Sequence, residues 1–397
     1  MIERIIRSRK LKALVLGFLD PLFLKDRKKI LFVVKDRTFF SGNQRVVCER
    51  YIKDANSKVY IYKDGVCQTE IKDELEKMGA VVLDGFSLFS AFHILTSGVM
   101  ILSHNPRDAH ISKKFKRRKI INLWHGVAIK RIENLMPNIP AQKQKQLDNN
   151  AKLYDMVIAS SEEDRQTNSK AFGVDEDRVK ITGLPRYEIL KSDYIEGVVL
   201  QEESKKIESI KAGRKLILFT PTFRESNISA IEQINDNEWR ELEEYIRGNN
   251  LLFGIRPHPY DIKHLPRFIE DSDSFYLFES SEFTEPNIML KLTDVLMVDF
   301  TSIWIDYLLL ERPIIGFAKD YRHYLEEERG FVFDFDTIFP SSFVDTIESL
   351  IVEIDRAILV DEPIVYRETT ETLHDYDLSH DFAEDIYNQI EIVRKDV

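Results

Sequence analysis

Asp294-Val-Leu-Met-Val298 runs into Asp299-Phe300-Thr301-Ser302 and then into the apolar stretch Ile303–Leu310. The uninterrupted apolar residues 295–298 read as a strand covered on both faces, as in a parallel sheet. Residues 303–310 read as the helix that packs back on it. The polar tetrad between them marks the carboxyl end of the strand. Thr301 and Ser302 are good N-cap residues, and the free N–H groups of a first helical turn attract anions. The tetrad is therefore either a plain helix cap or a diphosphate site.

The same unit recurs along the chain. In the first half, strand-like runs occupy Ile30–Val34, Lys58–Tyr62, Ala80–Leu83, Val99–Leu102, Lys119–Leu123 and Met156–Ala159. In the second they occupy Lys215–Phe219, Leu251–Ile255, Phe275–Phe278, Val295–Val298, Pro313–Phe317 and Phe331–Phe335. Helices such as Lys72–Met78, Asn237–Arg247 and Ser302–Leu310 separate them. This alternation predicts an α/β protein of two doubly wound parallel-sheet domains facing a cleft at the carboxyl ends of their strands. The polar stretch from Lys191 to Arg214 marks the seam. The expected divisions are a basic segment over 1–29, domains over 30–195 and 210–365, and a helical segment over 366–397. A length of 397 residues suits two or three domains.

Cys48 and Cys67 are the two cysteines, too few for a disulfide framework or a thiolate metal cluster, and a reducing cytoplasm fits. The net charge of −11 conceals an asymmetry. Residues 1–200 hold 36 Lys and Arg against 25 Asp and Glu, whereas residues 201–397 hold 20 against 42. A basic front half points to an anionic partner that meets one domain. Within residues 1–29, nine basic and three acidic side chains surround Ala13–Leu19. Seven apolar residues cannot span a bilayer, which takes about 20 in a helix. Asp20-Pro21 follows where a signal-peptide cleavage site would lie. The segment reads either as a helix on an anionic membrane surface or as a helix docked on its own domain. On the first reading Arg4, Arg7, Lys10, Lys12, Leu14 and Phe18 make the contact. The basic run with Lys113, Lys116 and Arg117 is a second candidate for the membrane or acceptor, and no nucleic acid is expected.

Several polar residues leave predicted strands at their carboxyl ends. His125, in Trp124-His125-Gly126, has a side chain whose pKa near 6.5 suits a general base; the alternative is a histidine packed beside Trp124. Thr222 and Arg224 follow the strand at 215–219, and Arg224 carries a permanently charged planar fork for phosphate. Arg256-Pro257-His258-Pro259 follows the strand at 251–255, with prolines fixing the backbone around His258. There is no GxxxxGK[ST] loop, no GxGxxG after a strand, no GxSxG and no HExxH. Asp334-Phe335-Asp336 reads as the structural end of a strand. No metal site and no cofactor are expected.

Taken together, Trp124-His125-Gly126 with Lys130, Pro221-Thr222-Phe223-Arg224, Arg256-Pro257-His258-Pro259, Asp299-Phe300-Thr301-Ser302 with Asp306, Arg312-Pro313, and Arg329-Gly330-Phe331 with Phe333-Asp334 resemble the CDP-glycerol glycerophosphotransferase family. The resemblance covers roughly residues 119–340. It departs at Val127-Ala128-Ile129, where the family has Thr-Pro-Leu, and at Pro340-Ser341, where it has Pro-Gly. It implies a GT-B architecture, a donor-binding C-terminal domain and peripheral attachment to the cytoplasmic membrane face. It also implies His125 as base, with His258, Thr301 and Ser302 on the donor diphosphate. In size the chain looks like the shorter, priming or capsule-type members. The expected reaction is transfer of glycerol phosphate from CDP-glycerol to a hydroxyl of a lipid-linked saccharide or polymer. Lys130, Thr222, Arg224, Arg256, Asp299 and Asp306 complete the expected donor site, with His258 also supporting catalysis. A CDP-ribitol donor, a nucleotide-sugar glycosyltransferase and a non-catalytic polymer-binding protein are the rivals.

Overall fold

The computed structural model describes residues 8–35, 39–111, 117–194, 197–224, 229–327 and 330–395. Arg4, Arg7, Lys113, Lys116 and Arg329 lie outside them. The chain forms two compact units. The first runs up to Val127 and includes Ile132–Val199 and the chain from Leu373 onward; the second comprises Ala128–Arg131 and Leu200–Thr372.

The first unit carries β1 (Asp26–Val34), β2 (Lys58–Lys63), β3 (Val81–Asp84), β4 (Ser97–Leu102), β5 (Lys119–Asn122), β6 (Met156–Ala159) and β7 (Val179–Ile181). They form one sheet in the order β3-β2-β1-β4-β5-β6-β7, with every pairing parallel. Helices α1 (Arg9–Leu19), α2 (Gly42–Ile52), α3 (Thr69–Met78), α4 (Leu88–Thr96), α5 (Ala141–Ala151) and α6 (Glu162–Phe172) accompany it. Its core gathers Leu31, Val33, Met100, Ile120 and Val157 from alternate strand positions. The strand order reverses between β1 and β4, which opens a crevice at their carboxyl ends.

The second unit repeats the plan. It holds β8 (Leu216–Thr220), β9 (Leu252–Ile255), β10 (Phe275–Leu277), β11 (Val295–Val298), β12 (Ile314–Phe317) and β13 (Phe343–Val344). Their order is β10-β9-β8-β11-β12-β13, again parallel throughout. Here the reversal lies between β8 and β11. Helices α7 (Val198–Lys211), α8 (Asp236–Gly248), α9 (Pro286–Leu292) and α10 (Ile303–Leu308) belong to this part of the chain. Ile217, Phe219, Phe253, Val295 and Met297 build its core.

Four features differ from the sequence reading. The polar stretch marked as the seam is helical over α7, and the unit boundary falls inside that helix. The stretch expected as a separate segment from 366 is divided, with Leu373 onward in the first unit. Residues 331–335 are not a strand. Phe331 makes one antiparallel bridge with Lys130, the chain turns, and Phe335–Ile338 is helical. Phe331 and Phe335 stack with centroids 4.4 Å apart, so apolar alternation there feeds an aromatic cluster rather than a sheet face. The β13 edge comes later, at residues the sequence reading left out.

The fourth difference concerns α1. Lys12 was expected at a membrane, but it is buried and donates to Asp64 Oδ1 at 2.5 Å. Leu16, only 1% exposed, enters the core of the unit. Beyond the helix, buried Asp20 accepts two hydrogen bonds from Arg118, at 2.7 and 3.0 Å, and one from Lys25 at 2.9 Å. Arg118 belongs to the second basic run, so part of that run serves internal pairing. Lys10 and Arg117 are exposed, as are Leu14 and Phe18. Among the described residues, no helix is long and apolar enough to cross a membrane.

Candidate functional site

In the first unit, polar residues collect at the carboxyl ends of β1, β4 and β5. The first turn of α2 fastens these ends together. Asn43 Nδ2 donates to the carbonyls of Leu123 and Trp124 at 3.1 and 3.3 Å. Gln44 Nε2 donates to those of Val33 and Ile101 at 2.8 and 3.2 Å. Trp124 sits in the left-handed region at φ 47°, a costly position for a bulky residue. Asn122 Oδ1 holds it there by accepting from the Trp124 amide at 2.9 Å. The next peptide is gripped by Arg186, whose Nη1 donates to the His125 carbonyl at 2.6 Å. Gly126 leaves room for that guanidinium, since a Cβ would come within 3.2 Å of Nη2.

This turn leaves His125 an exposed residue whose ring is covered on part of its surface by His104 and Trp124. Nδ1 lies 3.2 Å from the Ser103 carbonyl. A carbonyl only accepts, so the proton sits on Nδ1 and the Nε2 lone pair is left to act as a base. The ring stacks on His104 at 4.4 Å and 16°, with Trp124 at 3.9 Å. Displacement of water by the surrounding protein lowers the His125 pKa; Arg186 and Lys35 add to this and the Ser103 carbonyl opposes it. His125 is therefore neutral at pH 7.

In the second unit, the crevice between β8 and β11 is closed by hydrogen bonds. Thr222 donates to Asp299 through its amide at 2.9 Å and its hydroxyl at 2.7 Å. Arg224 Nη1 donates to Asp299 at 2.8 Å and to the Thr222 carbonyl at 2.9 Å. Its Nε and Nη2 grip Asp320 at 2.8 and 3.0 Å. Burial works against the Arg224 charge, but Asp299 and Asp320 outweigh it. At 2% exposure, this guanidinium is not the phosphate fork expected from the sequence. It is an internal strut that shapes the crevice floor.

The other expected donor residues divide in the same way. Asp306 is buried and accepts from Asn287 Nδ2 at 3.1 Å, tying α10 to α9 rather than facing a ligand. Arg256 Nη2 donates to the Phe283 carbonyl at 2.9 Å, while Nη1 is buried with no hydrogen-bond partner. Lys130 bridges to Phe331 and places Nζ 5.2 Å from the Tyr324 ring centroid. Ser302 occupies the N-cap position of α10, yet its hydroxyl caps nothing, and the helix has six residues. Thr301 and Ser302 keep half-buried side chains at the crevice. His258 is exposed and accepts from the Tyr260 amide through Nδ1 at 3.3 Å, which leaves Nε2–H pointing its proton elsewhere. Phe223 and Tyr260 flank it, with centroids at 4.9 and 5.0 Å.

Sequence reasoning missed Ser103, His104, Asn43, Arg186 and Asp320. Ser103-His104 did carry the signal that found His125, a polar pair directly after a buried strand. Arg186 carried none. Among the described residues, no three His, Cys, Asp or Glu side chains gather where they could hold a metal ion.

Comparison with known proteins follows the same two-unit plan. The family described as CDP-Glycerol:Poly(glycerophosphate) glycerophosphotransferase matches residues 18–373. The chain is 28% identical over 376 residues to a teichoic acid poly(ribitol-phosphate) polymerase of Bacillus spizizenii, covering 91% of the chain and 56% of that protein. It is 25% identical over 351 residues to the teichoic acid glycerol-phosphate primase of Bacillus subtilis, covering 84% of each. The chain spans 56–63% of the length of the ribitol-phosphate polymerases it matches. Among solved structures, the wall teichoic acid polymerase TagF, as an H444N variant soaked with CDPG, superposes with a TM-score of 0.77 at 18% identity. That match covers 99% of this chain and 94% of the other. The pair of doubly wound sheets is GT-B-like.

Proposed function

The chain belongs to the CDP-glycerol:poly(glycerophosphate) glycerophosphotransferase family, and from that premise we propose that it transfers glycerol phosphate from CDP-glycerol to a hydroxyl of a membrane-linked saccharide or poly(glycerol phosphate), releasing CMP. The acceptor oxygen attacks the β-phosphorus. The bond from that phosphorus to the bridging oxygen breaks, and CMP leaves with the electron pair. The hydroxyl proton passes to His125 Nε2. The observation that carries this reading is the Nδ1 contact of His125 with the Ser103 carbonyl, which orients a neutral imidazole as a base. On the donor side, the His258 Nε2–H and the hydroxyls of Thr301 and Ser302 are suited to the charge that spreads over the phosphoryl oxygens.

A CDP-ribitol donor is the second reading, supported by the 28% identity to a ribitol-phosphate polymerase. Incubation with CDP-glycerol or CDP-ribitol, each with and without a lipid-linked acceptor, separates them by the CMP released. Acceptor-dependent CMP from neither donor would overturn the phosphotransfer reading.

The acceptor's lipid link calls for a membrane-facing surface on the cytoplasmic side. The outer face of α1 and the turn after it expose Leu14, Phe18 (78%), Leu22 and Leu24, and the start of α4 exposes Leu88 (85%) and Phe89. Phe23 packs on Phe92 of α4 with centroids 6.2 Å apart, so the two segments adjoin. Exposed Arg9, Lys10, Arg27 and Lys28 lie in the same α1–β1 stretch. Apolar side chains beside cations suit an interfacial contact with anionic lipid. Cosedimentation with anionic vesicles, lost in Leu14→Glu/Phe18→Glu, is the expected result.

A further inference from the structure

We propose that Ser103-His104 is the positioning pair of His125, an inference that rests on His125 accepting the acceptor's proton. Both residues leave β4 at the point where the strand order of the first unit reverses between β1 and β4. His125 leaves the neighbouring strand, β5. An imidazole at a loop exit has two free torsions, so its direction depends on the few groups that touch it. Ser103 supplies one restraint through its main chain, as its carbonyl accepts from His125 Nδ1 at 3.2 Å. His104 supplies the other through its ring, stacked 4.4 Å from His125 and nearly parallel to it.

The two restraints are linked, because the Ser103 hydroxyl lies 2.9 Å from His104 Nδ1. One residue therefore holds the base with its carbonyl and the stacking ring with its side chain. The charged groups facing the pair are Lys35 and Arg186. Burial foremost, then the neighbouring His125 ring and Lys35, lowers the His104 pKa to about 2, and Arg186 with Lys35 disfavours an imidazolium at His125. A neutral His104 stacks on the base without competing for its proton. It does not touch the reacting atoms in this scheme; it sets the direction and tautomer of the ring that does.

The test compares His104→Ala with His104→Phe in the full chain. ¹⁵N-histidine NMR without donor reads the tautomer and titration of His125, with His125→Gln assigning its signals. In His104→Ala the single Nδ1–H tautomer should give way to a mixture, and the midpoint should climb towards the ordinary 6.5 as water reaches the ring. Turnover should fall about 10-fold with KM for the donor held within about two-fold, since only the direction of the base has changed. The acid limb of the rate profile should move to higher pH. His104→Phe keeps a flat ring on His125 and should recover turnover to within about three-fold of the parent. An unchanged tautomer and midpoint in His104→Ala overturns the proposal, as does equal inactivity of the two variants. Wild-type turnover in His125→Gln would instead overturn the base assignment, and the donor-free NMR keeps that failure separate.

Discussion

Arg224 and His125 both leave buried strands at their carboxyl ends, yet one is enclosed and the other presented. His125→Ala should lower turnover by about 10²-fold while donor affinity stays within a few fold, as expected for loss of a positioned base. Near-parental turnover measured as CMP release would remove His125 from the chemistry. For Arg224→Met the expected loss is of stability: Asp299 and Asp320 would be left without their buried cation, at a cost of about 3–5 kcal/mol. Urea unfolding reads this directly, and a variant with parental stability and weakened donor binding would restore the phosphate role. The residue type alone pointed to phosphate because a guanidinium fork fits a phosphate and a carboxylate pair equally well. What decides between them is the company Arg224 keeps, and its partners lie 75 and 96 residues away in sequence. Ser302 was legible in position alone, since a local signal marks the start of α10 without knowledge of distant segments, although its hydroxyl makes no cap. Replacing Ser302 or His258 by Ala should weaken CDP-glycerol binding by about 1.5–3 kcal/mol while cytidine binding changes little; calorimetry showing equal losses for both ligands would move these residues off the diphosphate.

Among the elements, α1 shows how one basic amphipathic helix divides its two faces. Its inner face docks through Leu16 and through Lys12 on Asp64, and its outer face keeps Leu14 and Phe18 in solvent. The hydrophobic period announced the helix, but which lysine turns inward depends on Asp64, which sits after β2. Burial alone would raise the Asp64 pKa, yet His110 and Lys12 hold it well below the usual carboxylate range. A depressed folded-state pKa means stability that is present above the unfolded value of about 3.9 and is lost as pH falls through the folded one. Asp64→Asn should therefore be less stable than the parent at pH 7, with the gap narrowing below about pH 4. A gap that stays constant across acid titration would mean that the ion pair contributes nothing to docking. The same network bears on how the membrane surface is tested. Deleting the first 28 residues removes Asp20 and strands buried Arg118, so point changes at Leu14 and Phe18 are the cleaner probe. Residues 331–335 show the reverse failure of pattern reading: alternating Phe residues mimic a strand, but stacking of Phe331 on Phe335 gathers them on one side of a turn.

For the molecule as a whole, the two parallel sheets were readable because most buried strands announce themselves as apolar runs, several of them followed by a helix. The return of the chain's end to the first unit was not, since nothing local in residues 373–395 tells which sheet they cover. The contacts explain it. His374 Nδ1 lies 2.9 Å from Ser160 Oγ, and Glu384 accepts from Arg50 Nε at 2.6 Å. Phe382, Ile386 and Ile390 are fully buried on one face of the C-terminal helix Phe382–Lys395. The Phe382 ring lies where a side chain at Gly183 would have to be, so residue 183 must stay a glycine for the helix to dock. Burial of three large apolar side chains is worth roughly 5–9 kcal/mol, against a typical domain stability of about 5–15 kcal/mol. A chain ending at Thr372 should therefore lose most of the stability of its first unit, while the second keeps its own core around Phe219, Phe253 and Met297. Calorimetry should show the transition of the first unit lowered or missing, with that of the second near its original temperature. Gly183→Ala should reproduce part of the loss without removing any residue. Retention of both transitions in the shortened chain would mean that the C-terminal helix is an appendage and that the first sheet is complete without it.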